Sequence, residues 1–317
     1  MLPDLIHISR SDILALDISP AEMRAAVREV FEDLATGQCR FQPKSQLEMG
    51  VGHVFQTMAA ASYRWSVAMM KWVTVVPAAP DAALPAISAV ICLNDLATGH
   101  PLAMMDGEII TLQRTAAISA LSAEYLSPPE PKILALVGCG AQARSHLEAF
   151  TDLCPTIDRV ICYSRSRRSA EALAVIARDR GLEADVVDDP ADLVPVADVI
   201  VSMIPASSEL RPFMDATKMK PEALALMVDL GRSWLPESLS AFDLIGTDSL
   251  EQMRHPVDAT GKAVTSAHIG FDLLTGPSKV SGRKAFCFRG NSAADLAAAR
   301  LVHDLARARG YGTQLTR

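Results

Sequence analysis

The chain has 317 residues, half of them hydrophobic and 21% charged, with a formal net charge of −7, which is the profile of an ordinary globular protein of about two domains. That acidic balance argues against nucleic acid as the main partner, since no basic stripe is present to neutralise phosphates. No apolar run approaches the roughly 18 residues that span a bilayer, and Asp4, His7 and Arg10 interrupt the N-terminal apolar segment, so a soluble, cytoplasmic protein with no membrane partner is expected.

In chain order, Leu5 to Ile8 reads as a short strand. A helix follows, with Ser19 as N-cap, Pro20 at the first helical position and Glu22 completing a capping box. Met23, Val27, Val30, Phe31 and Leu34 keep helical spacing until Gly37. Phe55 to Ala59, Trp65 to Val76 and Ala86 to Leu93 are predicted strands, joined by turns over 77–85 and 94–99, so the first third is mainly antiparallel β. Ile109 to Leu126 is predicted as a long helix, broken by Pro128, Pro129 and Pro131.

The next stretch organises the rest of the chain. Ile133 to Val137 is a short unbroken apolar run, the pattern of a strand buried on both faces of a parallel sheet. Gly138, Cys139 and Gly140 follow at once, and Ala141, Gln142 and Ala143 open a helix, giving GxGxxA between strand and helix. Such glycines allow a tight turn and close backbone approach to a pyrophosphate, which the N–H groups of the helix terminus then bind. Further strands are predicted at Val160–Tyr163, Ala184–Val187, Val199–Ile204, Ala225–Leu230 and Leu244–Gly246, with a helix over Ser169–Arg180. This alternation implies an α/β fold with a doubly wound parallel sheet of the Rossmann type. Ser292 to Arg309 is an amphipathic helix with Leu296, Leu301, Val302 and Leu305 on its apolar side, of the kind that crosses back onto a first domain.

Cofactor choice turns on the end of the second Rossmann strand. In place of the Asp or Glu that accepts a ribose 2′-hydroxyl, the chain has Ser164, Arg165, Ser166, Arg167 and Arg168. Arginines and hydroxyls suit a 2′-phosphate, so NADP(H) is favoured, with NAD(H) as the alternative.

The chemistry needs groups from outside the nucleotide fold. Lys71 is an isolated cation in an apolar strand, costly unless it is paired or faces a cleft. Arg114 lies near the start of the long helix among small residues, and a Lys and an Arg aimed into one pocket would grip a carboxylate. His7, His53, His146, His255, His268 and His303 are unclustered and read as structural, and the six cysteines show neither CxxC nor zinc-ligand spacing, so no metal is expected.

The blocks MDGEIITLQRTAAISALSAEYL (105–126), ALVGCGAQARSHLEAF (135–150), the Lys71 strand and AADLAAARLVHDLA (293–306) together resemble the ornithine cyclodeaminase and mu-crystallin family. The resemblance covers most of the chain and implies a substrate-binding and dimerisation domain of α+β type over 1–115 plus 290–317, a Rossmann domain over 116–289, and a homodimer joined through first-domain sheets. It implies that Lys71 and Arg114 bind a substrate carboxylate, with Lys44 standing where the family has a further Arg. Thr115, the Gly138 to Ala143 loop, Ser164, Arg165, Ser166, Met203 and Gly231 would be cofactor contacts. Where ornithine cyclodeaminases carry a catalytic Asp, this chain has Arg232 or Ser233, with Asp229 too early; Arg232 would instead hold a second acidic group of the substrate. The resemblance therefore implies NAD(P)H-dependent reduction of an imino acid, or the reverse dehydrogenation of an amino acid. The alternatives are a cyclodeaminase-type lyase releasing ammonia and a non-enzymatic NADPH-dependent binding protein.

Overall fold

The computed structural model describes residues 4–50, 52–76, 85–206, 209–253, 269–272 and 280–316. The turn predicted over 77–85 falls outside these residues except for Pro85, and His255 and His268 lie outside them altogether. The chain forms two compact units, one of residues 1–118 and 291–317, the other of 119–290.

The first unit holds β1 (Leu5–Ile8), α1 (Arg10–Ala15), α2 (Pro20–Ala35), β2 (Cys39–Phe41), β3 (Ser45–Gly50), β4 (His53–Ser62), β5 (Val67–Val75), β6 (Ile87–Asp95), β7 (Pro101–Asp106) and the start of α3 (Gly107–Leu126). Its sheet runs in the order β16-β1-β7-β6-β5-β4-β2, with β3 also paired to β4 and β16 (Thr313–Leu315) at the far edge. The capping box at Ser19 is formed: Glu22 N donates to Ser19 Oγ and Ser19 N to Glu22 Oε2. Trp65 and Ser66, predicted within a strand, instead form the turn before β5, and Ser66 has a positive φ of 53° that a strand does not accommodate. Three strands, β2 (CRF), β3 (SQLEMG) and β7 (PLAMMD), are too short, at three to six residues, for periodicity to mark them in the sequence.

Alternation along β5 sets the rest of this unit. Val67, Met69, Lys71 and Val73 point to the buried face, while Met70 and Trp72 remain exposed on the other. The buried face is covered by α7 (Ser292–Arg309), which packs on β4, β5 and β6 and against α2. Sequence periodicity marks one apolar side for α7, yet Ala293, Ala294, Leu296, Ala297, Ala298 and Ala299 are all fully buried. Small alanines bring this helix close to its neighbours, so its first two turns are enclosed on more than the predicted side.

The second unit is a sheet in the order β10-β9-β8-β11-β12-β15-β13-β14, with every strand pair parallel. The strands are β8 (Ile133–Val137), β9 (Arg159–Tyr163), β10 (Glu183–Val186), β11 (Val199–Ser202), β12 (Leu224–Met227), β13 (Leu244–Thr247), β14 (Ile269–Asp272) and β15 (Lys284–Cys287); the helices include α4 (Ala141–Leu153), α5 (Arg167–Asp179) and α6 (Leu250–Met253). The first six strands in spatial order follow the doubly wound dinucleotide-fold arrangement, with the switch beside β8. Two predicted strands are shorter than expected: the fourth ends at Ser202 and the fifth at Met227, after which Leu230 (φ 65°) and Gly231 (φ 79°) turn the chain. The strand beside β12 is β15, unmarked in the sequence because it is four residues long and starts with a lysine; all four are buried.

His146 is a structural residue. Its ring lies between the Ser119 hydroxyl (2.7 Å) and the Gln142 carbonyl (2.7 Å), tying α3 to α4, and burial pushes its pKa down to about 4, so it is neutral. Among the described residues, no helix is long and apolar enough to cross a membrane and no group of three metal-ligating side chains occurs.

Candidate active site

In the first unit the two cations singled out in the sequence meet on a third residue that was not. Lys71 projects from β5 toward α7, and its ammonium donates to Asp295 Oδ1 at 2.7 Å and lies 3.4 Å from Thr111 Oγ1. Arg114 Nε lies 3.0 Å from the same Asp295 oxygen. Thr111, Arg114 and Thr115 are spaced i, i+3 and i+4, so they share one face of α3. Asp106 fixes the start of that helix, accepting from the Glu108 and Ile109 amides at 3.0 and 3.1 Å. Asp295 sits in the first turn of α7, where the helix dipole favours a carboxylate.

Two cations thus share one carboxylate, all three within a buried cluster: Lys71 is 1% exposed, Asp295 0% and Arg114 6%. Lys44, half-buried, adds a like charge. Burial brings the Lys71 pKa down to about 8; Asp295 opposes that shift, and Arg114 and Lys44 add to it. Two features of this cluster are open to a ligand. Among the described residues, no acceptor engages the η nitrogens of Arg114, and Asp295 Oδ2 is buried with no hydrogen-bond partner. A site left with net positive charge, a guanidinium edge and a spare acceptor has the composition to bind a molecule bearing a carboxylate and a protonated nitrogen.

In the second unit the phosphate-binding geometry is made by backbone and by missing side chains. Gly138 (φ 94°) takes a conformation that L side chains rarely adopt, and a Cβ there would lie 3.0 Å from the Met203 carbonyl. Gly140 has an ordinary extended conformation, and a Cβ on it would meet no protein atom within 4 Å. The space before α4 is therefore open on the side where a pyrophosphate would approach, and the helix N-terminus has no side-chain cap competing for its amides. Ala143 is fully buried, letting α4 pack close to the sheet, and Gln142 Oε1 is buried without a partner. These residues fit a dinucleotide.

Beyond β9, Ser166 caps α5 through the Ser169 amide at 3.3 Å, and Arg167 is occupied by Asp188 (2.5 and 2.6 Å) and Glu171. Arg165 is exposed, with no ion-pair partner among the described residues, and Ser164 is half-buried beside it. Asp229, 3% exposed, is turned into the turn after β12: it accepts from Ser202 Oγ (2.9 Å), Ser233 Oγ (2.5 Å) and the Gly231 amide (3.1 Å), and Trp234 Nε1 donates to Ser202 Oγ at 3.2 Å. Burial raises its pKa. The Arg232 guanidinium reaches back to the Asp229 carbonyl at 3.2 Å.

Sequence reasoning missed Asp295. The available signal for Asp295 was a lone carboxylate in an alanine-rich helix, the counterpart of the lone cation in an apolar strand that exposed Lys71. Neither signal names its partner across more than 200 residues.

This fold and loop define a protein with a Rossmann-type dinucleotide domain and a separate unit carrying a buried cluster of Lys71, Arg114 and Asp295. The ornithine cyclodeaminase/mu-crystallin family model matches residues 9–310, and the chain belongs to that family. It is 28% identical to the alanine dehydrogenase of Archaeoglobus fulgidus over 313 residues, covering 94% of each chain. It is 31% identical to the ketimine reductase mu-crystallin of Mus musculus over 244 residues, covering 74% of each. Among solved structures, an archaeal alanine dehydrogenase dimer with bound NAD superposes with a TM-score of 0.85 at 25% identity, over 99% of both chains.

Proposed function

We propose that the protein is an NAD(P)-dependent oxidoreductase that reduces an imino acid to an amino acid, or runs the reverse dehydrogenation. The observation that carries this is the cluster of Lys71 and Arg114 on Asp295 Oδ1, which leaves a guanidinium edge for an α-carboxylate and Asp295 Oδ2 for a nitrogen-bound hydrogen. The family relatives named as an alanine dehydrogenase and a ketimine reductase support the same chemistry.

A nicotinamide cofactor would supply the hydride when bound; the loop from Gly138 to Ala143, Met203 and Gly231 would hold it. Arg114 grips the substrate carboxylate and Asp295 keeps both cations aimed, so orientation supplies much of the rate. Lys71, with its pKa near 8, exchanges a proton with the substrate nitrogen at neutral pH. Arg165 and Ser164 favour NADP(H), since an exposed guanidinium and a hydroxyl at the end of β9 suit a 2′-phosphate. Exposed Leu47, Met49, Met70, Trp72 and Met104 in the first unit support a homodimer formed through that sheet.

The test is NADPH and NADH oxidation with cyclic imines and with 2-oxo acids plus ammonia or methylamine, and L-ornithine assayed in parallel for ammonia release. Net oxidation on an imine supports the proposal; ammonia from ornithine with no net cofactor change would replace it with a lyase.

A further inference from the structure

All six cysteines are free thiols, and two of them meet in the second unit beside the glycine loop. Cys139 stands between Gly138 and Gly140, and Cys162 is the fourth residue of β9. β9 pairs parallel with β8 in a register that sets Cys162 opposite Leu136 and Tyr163 opposite Val137. Cys139 follows β8 by two residues, and its sulfur turns back over this strand pair. It donates to the Tyr163 carbonyl at 3.3 Å, with the Leu136 carbonyl at 3.7 Å as a second acceptor. One carbonyl belongs to the residue after Cys162 and the other to the residue opposite it, and the Cys162 thiol donates to the Cys139 sulfur. That bond and burial together raise the Cys162 pKa.

The two sides of this pair are held unequally. Cys162 lies in a strand bonded along both edges, to β8 and to β10, so its backbone is fixed. Cys139 lies in the turn that shapes the pyrophosphate cradle, one residue from each glycine. If the sulfurs close from hydrogen-bond separation to a covalent bond, the displacement falls on Cys139. Gly138 has little room to follow, because it packs so closely on the Met203 carbonyl that an added Cβ would lie 3.0 Å from it. Cys139 is 8% exposed and Cys162 0%, so a small oxidant reaches the pair through Cys139.

We propose that Cys139 and Cys162 are a thiol–disulfide switch: a hydroperoxide oxidises them to a disulfide, which deforms the glycine loop and weakens dinucleotide binding. The proposal rests on the glycine loop as the dinucleotide site and involves the second unit alone. In the first step the Cys139 sulfur attacks a peroxide oxygen, the O–O bond breaks, and hydroxide leaves with the thiol proton as water, giving a sulfenic acid. The Cys162 sulfur then attacks Cys139 Sγ, the S–O bond breaks, and hydroxide leaves with the Cys162 proton as a second water. Two thiols are oxidised by two electrons and one peroxide is reduced by two. A dithiol reverses the bridge by exchange, itself becoming the disulfide.

The experiment treats the full-length, fully reduced protein with excess hydrogen peroxide, then alkylates and digests it. Peptide mass spectrometry should find Cys139 and Cys162 joined. Fluorescence titration should give the oxidised protein a Kd for NADPH at least about tenfold above that of the reduced protein, and dithiothreitol should restore the reduced value. Cys162→Ala, which cannot form the bridge, should bind NADPH like the reduced wild type and keep that affinity through the same treatment. NADPH bound beforehand should slow bridge formation in the wild type, because two events that exclude each other do so in both directions.

Two thiols left intact by excess peroxide overturn the switch, as does Cys139 oxidised past the sulfenic stage with no bridge to Cys162. A bridge that leaves NADPH affinity unchanged overturns it too. An equal loss of affinity in Cys162→Ala assigns the effect to oxidation of Cys139 alone and rejects the pairing. A reduced wild type that binds neither NADPH nor NADH rejects the dinucleotide reading itself, and the switch with it. Should Cys162→Ala fail to fold, the wild-type peptide map and the two titrations decide.

Discussion

The two units hold charge in opposite ways. In the first, Lys71, Arg114 and Asp295 are inside the protein and compensate one another, with side chains from β5, α3 and α7 converging on one oxygen. In the second, the phosphate cradle owes its shape to side chains that are absent, Gly138 for its conformation and Gly140 for the space it leaves. A cluster built from long side chains fails when one member is removed, because the others are left buried and unpaired. A cradle built from backbone fails only when something is added.

The largest expected effect follows from removing the carboxylate at the centre of the first cluster. Asp295→Asn leaves two buried cations without a counter-charge, which should cost about 3–5 kcal/mol of stability in urea unfolding. Steady-state kcat/KM on the best imine should fall by about 100-fold or more as Lys71 and Arg114 lose their aim. A variant of near wild-type stability and activity would show that the cluster is not held by charge.

Adding a methyl group to the cradle should separate its two glycines. Gly138→Ala should destabilise the fold by about 1–2 kcal/mol in the same measurement, because its φ of 94° is strained for any residue with a Cβ. Gly140→Ala, the loss of an N-cap glycine, should cost only about 0.5–1 kcal/mol of stability, yet weaken cofactor affinity by about tenfold or more, equivalent to roughly 1.4 kcal/mol. Equal effects on stability and binding at both positions would erase the distinction drawn between them.

The pH dependence of the first cluster has a definite sign. Lys71 has a folded pKa near 8, below its ordinary 10.5. The unfolded chain binds more protons between these values, so this group's contribution to stability rises with pH from about 8 to about 10.5. If its protonated form serves imine reduction, kcat/KM should fall as pH rises through about 8. A profile flat from pH 7 to 9 would remove Lys71 from proton transfer. A smaller effect is expected at the edge of the second unit, where Arg165→Ala should raise the Kd for NADPH by about tenfold while leaving that for NADH nearly unchanged, since one exposed charge-assisted bond is lost.

How much of this was legible before folding differs between the units for a physical reason. A parallel strand, a glycine turn and a helix start are contiguous, and each imposes its own local constraint, so Ile133 to Ala143 could be read directly from sequence. Lys71 and Arg114 stood out because a cation in an apolar setting is costly wherever it occurs. The partner that offsets this cost in the first unit, Asp295, lies 224 residues from Lys71, and no local pattern connects them.

By itself, then, the sequence determined the dinucleotide fold, the strand and helix that carry the two buried cations Lys71 and Arg114, and the basic turn after β9, because these depend on neighbours within a few residues. Only the tertiary structure decided that Lys71 and Arg114 converge on one carboxylate oxygen and that Asp229 turns inward to two serines. Those outcomes depend on which distant elements pack together, and packing is set by the whole chain at once.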